Sequence, residues 1–240
     1  MSKMRIVMVA LFVLAVIAGG IFMTSEPQTV TQITQNEEQL HLLPISPKAT
    51  PRSQSSLQAS AYSHFLNLFG PPTSEVGLNL AEPVSGFKTR ITKKSFGIFI
   101  SPENSPVEND RFLGYHNGVD AEFEDVEGDV PVKAIADGII IFRDWVSGYG
   151  GVIVIKHTIK DISFLALYGH VDPASLPPST ITTVKAGQQI AILGDNHSEE
   201  TDGVRKHLHF SILPGEELDF HGYVQTEEEL GKWLNPLDLF

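Results

Sequence analysis

The sequence predicts a mostly β protein, a compact antiparallel β-sheet domain of barrel-sandwich type with short helices, preceded by an N-terminal apolar helix and a linker. Three observations predict it. Short apolar runs broken by turn residues recur from about residue 74 to the C-terminus, few long helical periods compete with them, and an apolar stretch opens the chain.

The apolar run Ile6 to Met23, preceded by Lys3 and Arg5, reads as a signal peptide or a signal anchor over residues 1–23. Ala18 and Gly20 offer a small-x-small cleavage pair, but Ile21, Phe22 and Met23 continue the run and favour the anchor. The two cations hold the N-terminus in the cytoplasm and place the body outside, so the protein is expected to be extracytoplasmic, membrane-anchored or secreted to the cell envelope. Residues 24–73 are expected to be a flexible linker, since Gln, Thr, Ser, Pro and Glu dominate its first part without periodicity. Within it, Tyr62, Phe65, Leu66 and Phe69 recur at helical spacing, which predicts a short helix over 59–69, ended by Gly70-Pro71-Pro72.

The remaining domain, 74–240, is read as strands at Lys88 to Thr92, Phe96 to Ile100, Val132 to Ala134, Gly138 to Arg143, Gly151 to His157, Ile162 to Tyr168, Ile190 to Leu193 and His207 to Leu213. Gly148-Tyr149-Gly150-Gly151 lies between two of these runs and reads as a hairpin turn, because it lacks the Gly-Lys-Ser/Thr ending of a phosphate loop. Thr226 to Leu234 reads as a short helix with Glu227, Glu228 and Glu229 in its first turn and Asn235-Pro236 as its stop.

Composition narrows the function. The net charge of -12 gives no counterion-release term on nucleic acid and no attraction to an anionic membrane surface. The absence of cysteine excludes a disulfide framework, a thiolate zinc site, a cysteine nucleophile and lipidation at cysteine. Any metal must therefore be held by His, Asp or Glu.

Those residues are patterned. His207 and His209 stand i, i+2 on a predicted strand and so share one face, opposite Leu208, Phe210 and Ile212. His116 and Asp120 flank Gly118, which permits a tight turn between them. Two imidazoles and a carboxylate are a sufficient set for a catalytic zinc with one position left for water. His116, Asp120 and one histidine of the 207/209 pair supply that set, and His170, ending an apolar strand, has the pKa of a general acid or base. His157 reads as core support, His41, His197 and His221 as exposed, and His64 as a surface or interface residue; Tyr115 and Tyr168 read as packing residues able to donate to an oxyanion.

With these motifs in order, the chain resembles the lysostaphin-type, or LytM-like, zinc metalloendopeptidases over roughly Phe112 to Asp238. The match runs through His116-Asn117-Gly118-Val119-Asp120, Pro131 to Ala134, Ala136-Asp137-Gly138, Gly148 to Gly151, Tyr168-Gly169-His170, Val184 to Gln188, the turn at Gly194, His207 to Phe210 and Asn235-Pro236. The resemblance implies one catalytic zinc ion bound by His116, Asp120 and His209, with His170 and His207 as the catalytic pair flanking the reacting water and the oxyanion. It implies a zinc-dependent endopeptidase that hydrolyses peptide bonds in bacterial peptidoglycan stem peptides or cross-links. The alternative is a non-catalytic cell-wall-binding or hydrolase-activating module on the same fold. Peptidoglycan peptide is the expected partner, with the membrane a second partner if the N-terminal segment stays uncleaved, and no nucleic acid. Three stretches depart from the family pattern: Asp195 to Lys206 is long and charged where a short Gly, Ser and Thr loop is usual, and Asn104 to Phe112 and acidic Glu122 to Asp129 read as solvated loops particular to this chain.

Overall fold

The computed structural model describes residues 80–177 and 182–240. The apolar run, the linker and the helix expected over 59–69 lie outside them. Among the described residues no helix is long and apolar enough to cross a membrane.

The architecture is mostly antiparallel β, as expected. Among the described residues eleven strands occur in chain order: β1 (Phe99–Ile100), β2 (Gly114–His116), β3 (Val119–Glu122), β4 (Pro131–Lys133), β5 (Gly138–Val146), β6 (Gly150–Ile159), β7 (Ile162–Val171), β8 (Thr182–Val184), β9 (Gln189–Ile192), β10 (His207–Pro214) and β11 (Tyr223–Val224). Six of them form the main sheet in the order β3-β10-β7-β6-β5-β8, β4 and β9 form a two-stranded ribbon, and β1-β2-β11 form a small third sheet.

Alternation fixes the core. Leu208, Phe210 and Ile212 on β10, Phe164, Ala166 and Tyr168 on β7, and Ile153 and Ile155 on β6 fall on one face of the main sheet. There they pack with Val132, Ile190 and Ala191 of the ribbon in one buried cluster. On the other face Val152, Val154, Leu165 and Leu167 form a smaller cluster with Tyr149. The site histidines of β10 share that second face.

Several sequence expectations are corrected in detail. Lys88 to Thr92 is not a strand: Phe87–Arg90 is a 3-10 turn that buries Phe87 against Phe210 and Phe240, because one aromatic anchor needs no ladder to fix it. Of Phe96 to Ile100 only Phe99 and Ile100 pair. Strands β2, β3, β8 and β11 were too short to show alternation in the sequence. The late helix, α1 (Glu227–Leu230), is shorter than its pattern, although its start is as read: Thr226 caps it and Glu229 closes a capping box.

The Gly148 to Gly151 segment is the hairpin turn between β5 and β6, closed by the Tyr149 N–H donating to the Val146 carbonyl at 3.0 Å. Gly150 has φ of +74°, and a Cβ there would stand 1.9 Å from the Glu200 carbonyl oxygen. Gly128 has a comparable φ of +80° with nothing within 4 Å. Gly128→Ala should therefore lose about 1–2 kcal/mol of unfolding free energy for the left-handed backbone alone, whereas Gly150→Ala should lose about 2–5 kcal/mol because overpacking adds to it. Urea denaturation of the two variants in parallel checks the difference.

Candidate metal centre

The site is one face of the β3–β10 ladder. Antiparallel register sets His209 opposite Asp120 and His207 opposite Glu122, and on the other flank of β10 it sets His209 opposite Gly169 of β7. Residues 205, 207 and 209 share a parity, as do 120 and 122, so all five side chains project to one side. His116 arrives from the end of β2, and Gly118 lets the chain pass closely: a Cβ there would sit 2.7 Å from the Phe210 carbonyl and 2.8 Å from His209 Nε2.

His116, Asp120 and His209 converge, each buried. His116 Nε2 lies 3.0 Å from His209 Nδ1 and 3.2 Å from Asp120 Oδ1, and His209 Nδ1 lies 3.1 Å from the same oxygen. The outward nitrogens settle which atoms are free to ligate. His116 Nδ1–H donates to the Ser95 carbonyl at 3.2 Å, leaving Nε2 with its lone pair. His209 Nε2 contacts the Tyr149 hydroxyl at 3.4 Å, leaving Nδ1 inward. Three lone pairs then meet at 3.0–3.2 Å, an arrangement that only a cation or a shared proton stabilises. A tetrahedral zinc with bonds of about 2.05 Å has ligand–ligand edges of about 3.3–3.4 Å, so the donor set fits zinc in number, type and spacing.

His170 and His207 stand beside this triad with ring centroids 4.2 Å apart. His207 Nδ1–H donates to the Arg205 carbonyl at 2.8 Å, so the neutral ring presents Nε2 as a proton acceptor. Strict alternation after Phe164, Ala166 and Tyr168 would send His170 into the core. Instead β7 carries a register shift against β6 here, Val171 pairing with Gly151 while Gly169 pairs with Val152, and His170 adopts φ of +62°. The extra residue turns the imidazole out of the core and onto the site face, the usual use of a bulge, while Val171 returns to the core.

Charge and burial set the protonation states. Burial pushes His170 down to about 3. His207 is also held well below the usual imidazole range by burial and then by the Arg205 cation, and burial lowers His209. Burial works against ionised Asp120, yet the facing His207, His116 and His209 hold it well below the usual carboxylate range. Glu122 moves upward because burial outweighs its bond to Arg205.

Residues not singled out in the sequence complete the surroundings. Arg205 binds Glu122 through Nε at 2.7 Å and Nη2 at 2.6 Å, and Asp120 Oδ2 through Nη2 at 2.8 Å. Lys94, 1% exposed, pairs with Asp110 at 2.5 Å and donates to the Tyr223 hydroxyl at 2.8 Å. Asp110 in turn accepts from Ser105 Oγ at 2.5 Å and from the Phe112 N–H at 3.3 Å. The solvated-loop expectation thus fails at Asp110, held by Lys94, Ser105 and Phe112, and at Glu122, whose partner Arg205 lies far away in sequence. Tyr149 and Tyr223 are the tyrosines at the centre; Tyr168 accepts from the Ile135 N–H in the core, and Tyr115 packs on Phe99. His157 supports the core through the Asp137 carbonyl, and His197 and His221 are exposed on the cavity rim. The cavity has a volume of about 830 Å³ and its lining includes Phe112, Asp120, His170, Arg205, His207 and His209.

Residues 114–219 match the sequence model of Peptidase family M23. The murein hydrolase activator EnvC of Escherichia coli is 42% identical over 81 residues, which are 34% of this chain and 17% of that protein. The outer membrane antigenic lipoprotein B of Haemophilus influenzae is 30% identical over 166 residues, 60% of this chain and 38% of that one. The chain therefore spans well under two thirds of either relative. Among solved structures, the catalytic domain of lysostaphin from Staphylococcus simulans is 22% identical, with a TM-score of 0.43, over 62% of this chain and 91% of that domain. The segment that matches Peptidase family M23 contains His116, Asp120, His170, His207 and His209.

Proposed function

We propose that this protein is a zinc-dependent endopeptidase that hydrolyses peptide bonds in bacterial peptidoglycan. The observation that carries the reading is the complete five-residue constellation, with three inward lone pairs at 3.0–3.2 Å and two buried neutral imidazoles beside them. His116 through Nε2, Asp120 through Oδ1 and His209 through Nδ1 would hold the ion. A zinc ion held there supplies Lewis-acid activation of water and of the scissile carbonyl.

The chain's own residues supply the proton chemistry. His207 Nε2 accepts a proton because Nδ1 is committed to the Arg205 carbonyl. His170, its ring tilted against that of His207, is the second imidazole of the pair, so one ring can take the proton of the water while the other donates to the oxyanion or the leaving amine. Burial keeps both rings neutral at pH 7 until the reaction delivers a proton to one of them. Tyr149 and Phe112 line the cleft around the centre.

In this reading residues 1–23 export or anchor the chain, 24–73 space it from the membrane, and 74–240 form the domain that meets the wall. A second reading, an activator of other wall hydrolases, is favoured by the 42% identity to the murein hydrolase activator EnvC. Digestion of purified peptidoglycan by the protein alone, followed by chromatography of the released muropeptides, separates the two. Cleaved peptide cross-links support the endopeptidase; release only in the presence of a second hydrolase supports the activator.

Four variants test the assigned roles. His209→Ala should lose zinc and turnover together, whereas His207→Ala should keep about one zinc ion per chain and lose about 10²–10⁴ in kcat, as read by metal analysis and a muropeptide assay. His170→Ala and His170→Gly should lose turnover alike. The glycine form should nevertheless be about 1 kcal/mol more stable in urea, because φ of +62° strains any residue with a Cβ.

The buried histidines also set the response to acid. An unfolded histidine takes up a proton near 6.5, while His170 in the fold resists to about 3. The unfolded chain binds more protons between those values, so stability falls as pH falls through that window, by about 1.4 kcal/mol per pH unit for one such group. His207 and His209 act in the same direction, and Glu122, shifted upward, offsets part of the loss. Urea midpoints of the metal-free protein should therefore be lower at pH 5.5 than at pH 7.5.

A further inference from the structure

We propose that Arg205 and Glu122 are positioning residues of the metal centre: together they clasp one oxygen of Asp120 and leave the other as a single-oxygen ligand. The inference rests on the reading that the triad holds zinc.

The two oxygens of Asp120 are sorted by their partners. Oδ1 faces the ligating nitrogens, 3.2 Å from His116 Nε2 and 3.1 Å from His209 Nδ1. Oδ2 is turned away, 2.8 Å from Arg205 Nη2 and 3.4 Å from His207 Nε2. A carboxylate on a free side chain can rock between one-oxygen and two-oxygen ligation, and a hydrogen bond to Oδ2 stops the rocking. Arg205 can do this only if it is itself held. Glu122 grips it by two parallel bonds of 2.7 and 2.6 Å, the fork geometry that fixes a guanidinium plane.

Charge explains why the two residues come as a pair. A lone guanidinium beside a dication would repel it, and a lone Glu122 beside Asp120 would be a second buried anion. Together they cancel, so the centre offers zinc the single charge of Asp120. Arg205 and Glu122 are 4% and 7% exposed, where an unpaired charge is costly. The ladder supplies the geometry: Glu122 is two residues after Asp120 on β3, and Arg205 is two residues before His207, so all lie on the face that carries the ligands.

A staple that merely joins β3 to β10 would look similar in static geometry but would not alter the metal. The double variant Arg205→Met with Glu122→Gln separates the two, because it removes the clasp while the net charge stays unchanged. In the full-length protein its zinc dissociation constant, measured by competition with a chromophoric chelator, should rise about 10- to 100-fold. The cobalt-substituted form should lose the intense visible absorption of a four-coordinate site. Arg205→Lys, which keeps the charge and volume but not the fork, provides a second variant that folds with less disturbance and should weaken zinc binding in the same direction.

Equal zinc affinity and an unchanged cobalt spectrum in both variants, with only the unfolding midpoint lowered, would overturn the positioning role and leave the zinc reading intact. A wild-type protein that binds no zinc would overturn both. A zinc-bound crystal structure of the wild type is the direct measurement: Asp120 ligating through Oδ1 alone, with Oδ2 on Arg205, is expected, and two-oxygen ligation refutes the clasp.

Discussion

The pairing of β10 between β3 and β7 is the constraint on which the rest depends. Its register places His209 against Asp120 on one side and against Gly169 on the other, while Leu208, Phe210 and Ile212 enter the core from the opposite face. A slip of one residue would send those apolar side chains to the site face and the two imidazoles into the core. The apolar cluster therefore holds the register, and the register builds the site. Fold and site are one decision, made by the alternation in a single eight-residue strand.

Placed on that ladder, the polar groups solve a problem of burial. His116, Asp120, His170, Arg205, His207 and His209 are all nearly excluded from solvent, where unpaired charge is expensive. The protein keeps the cost low by leaving imidazoles neutral and by opposing each cation with a carboxylate. Arg205 meets Glu122 and Asp120, and Lys94 meets Asp110. The bulge at His170 adds a local strain that the sheet around it tolerates, and strain at a site-facing residue is a familiar mark of function.

The sequence was most informative where a motif and a periodicity coincided. The pair His207 and His209, the set His116 and Asp120, and the hairpin at Gly148 to Gly151 were all legible, since each depends on local spacing. His170 was legible as a residue of interest but not as a bulge, because only the partner strand shows that β7 carries an extra residue. Arg205 and Glu122 are 83 residues apart, and Lys94 and Tyr223 are 129 apart. No local signal announces pairings across such distances, although an Arg directly before a strand bearing two histidines was a visible clue. Strands β2, β3, β8 and β11 are not legible for a simpler reason: two to four residues contain too few periods to count.

The buried ion pair of Lys94 has a consequence for recognition. Asp110, tied to Ser105 and Phe112, closes the segment from 105 to 112 into a compact wall of the cavity, and Lys94 fastens that wall to Tyr223 beside His116. Arg111 adds a second tether to Asp202, whose carboxylate also receives the Gly148 N–H. The conformational entropy of this wall is thus lost during folding rather than on ligand entry. A ligand entering the cleft meets a surface already shaped, so selectivity falls to the fit of the incoming molecule and not to the rearrangement of the host.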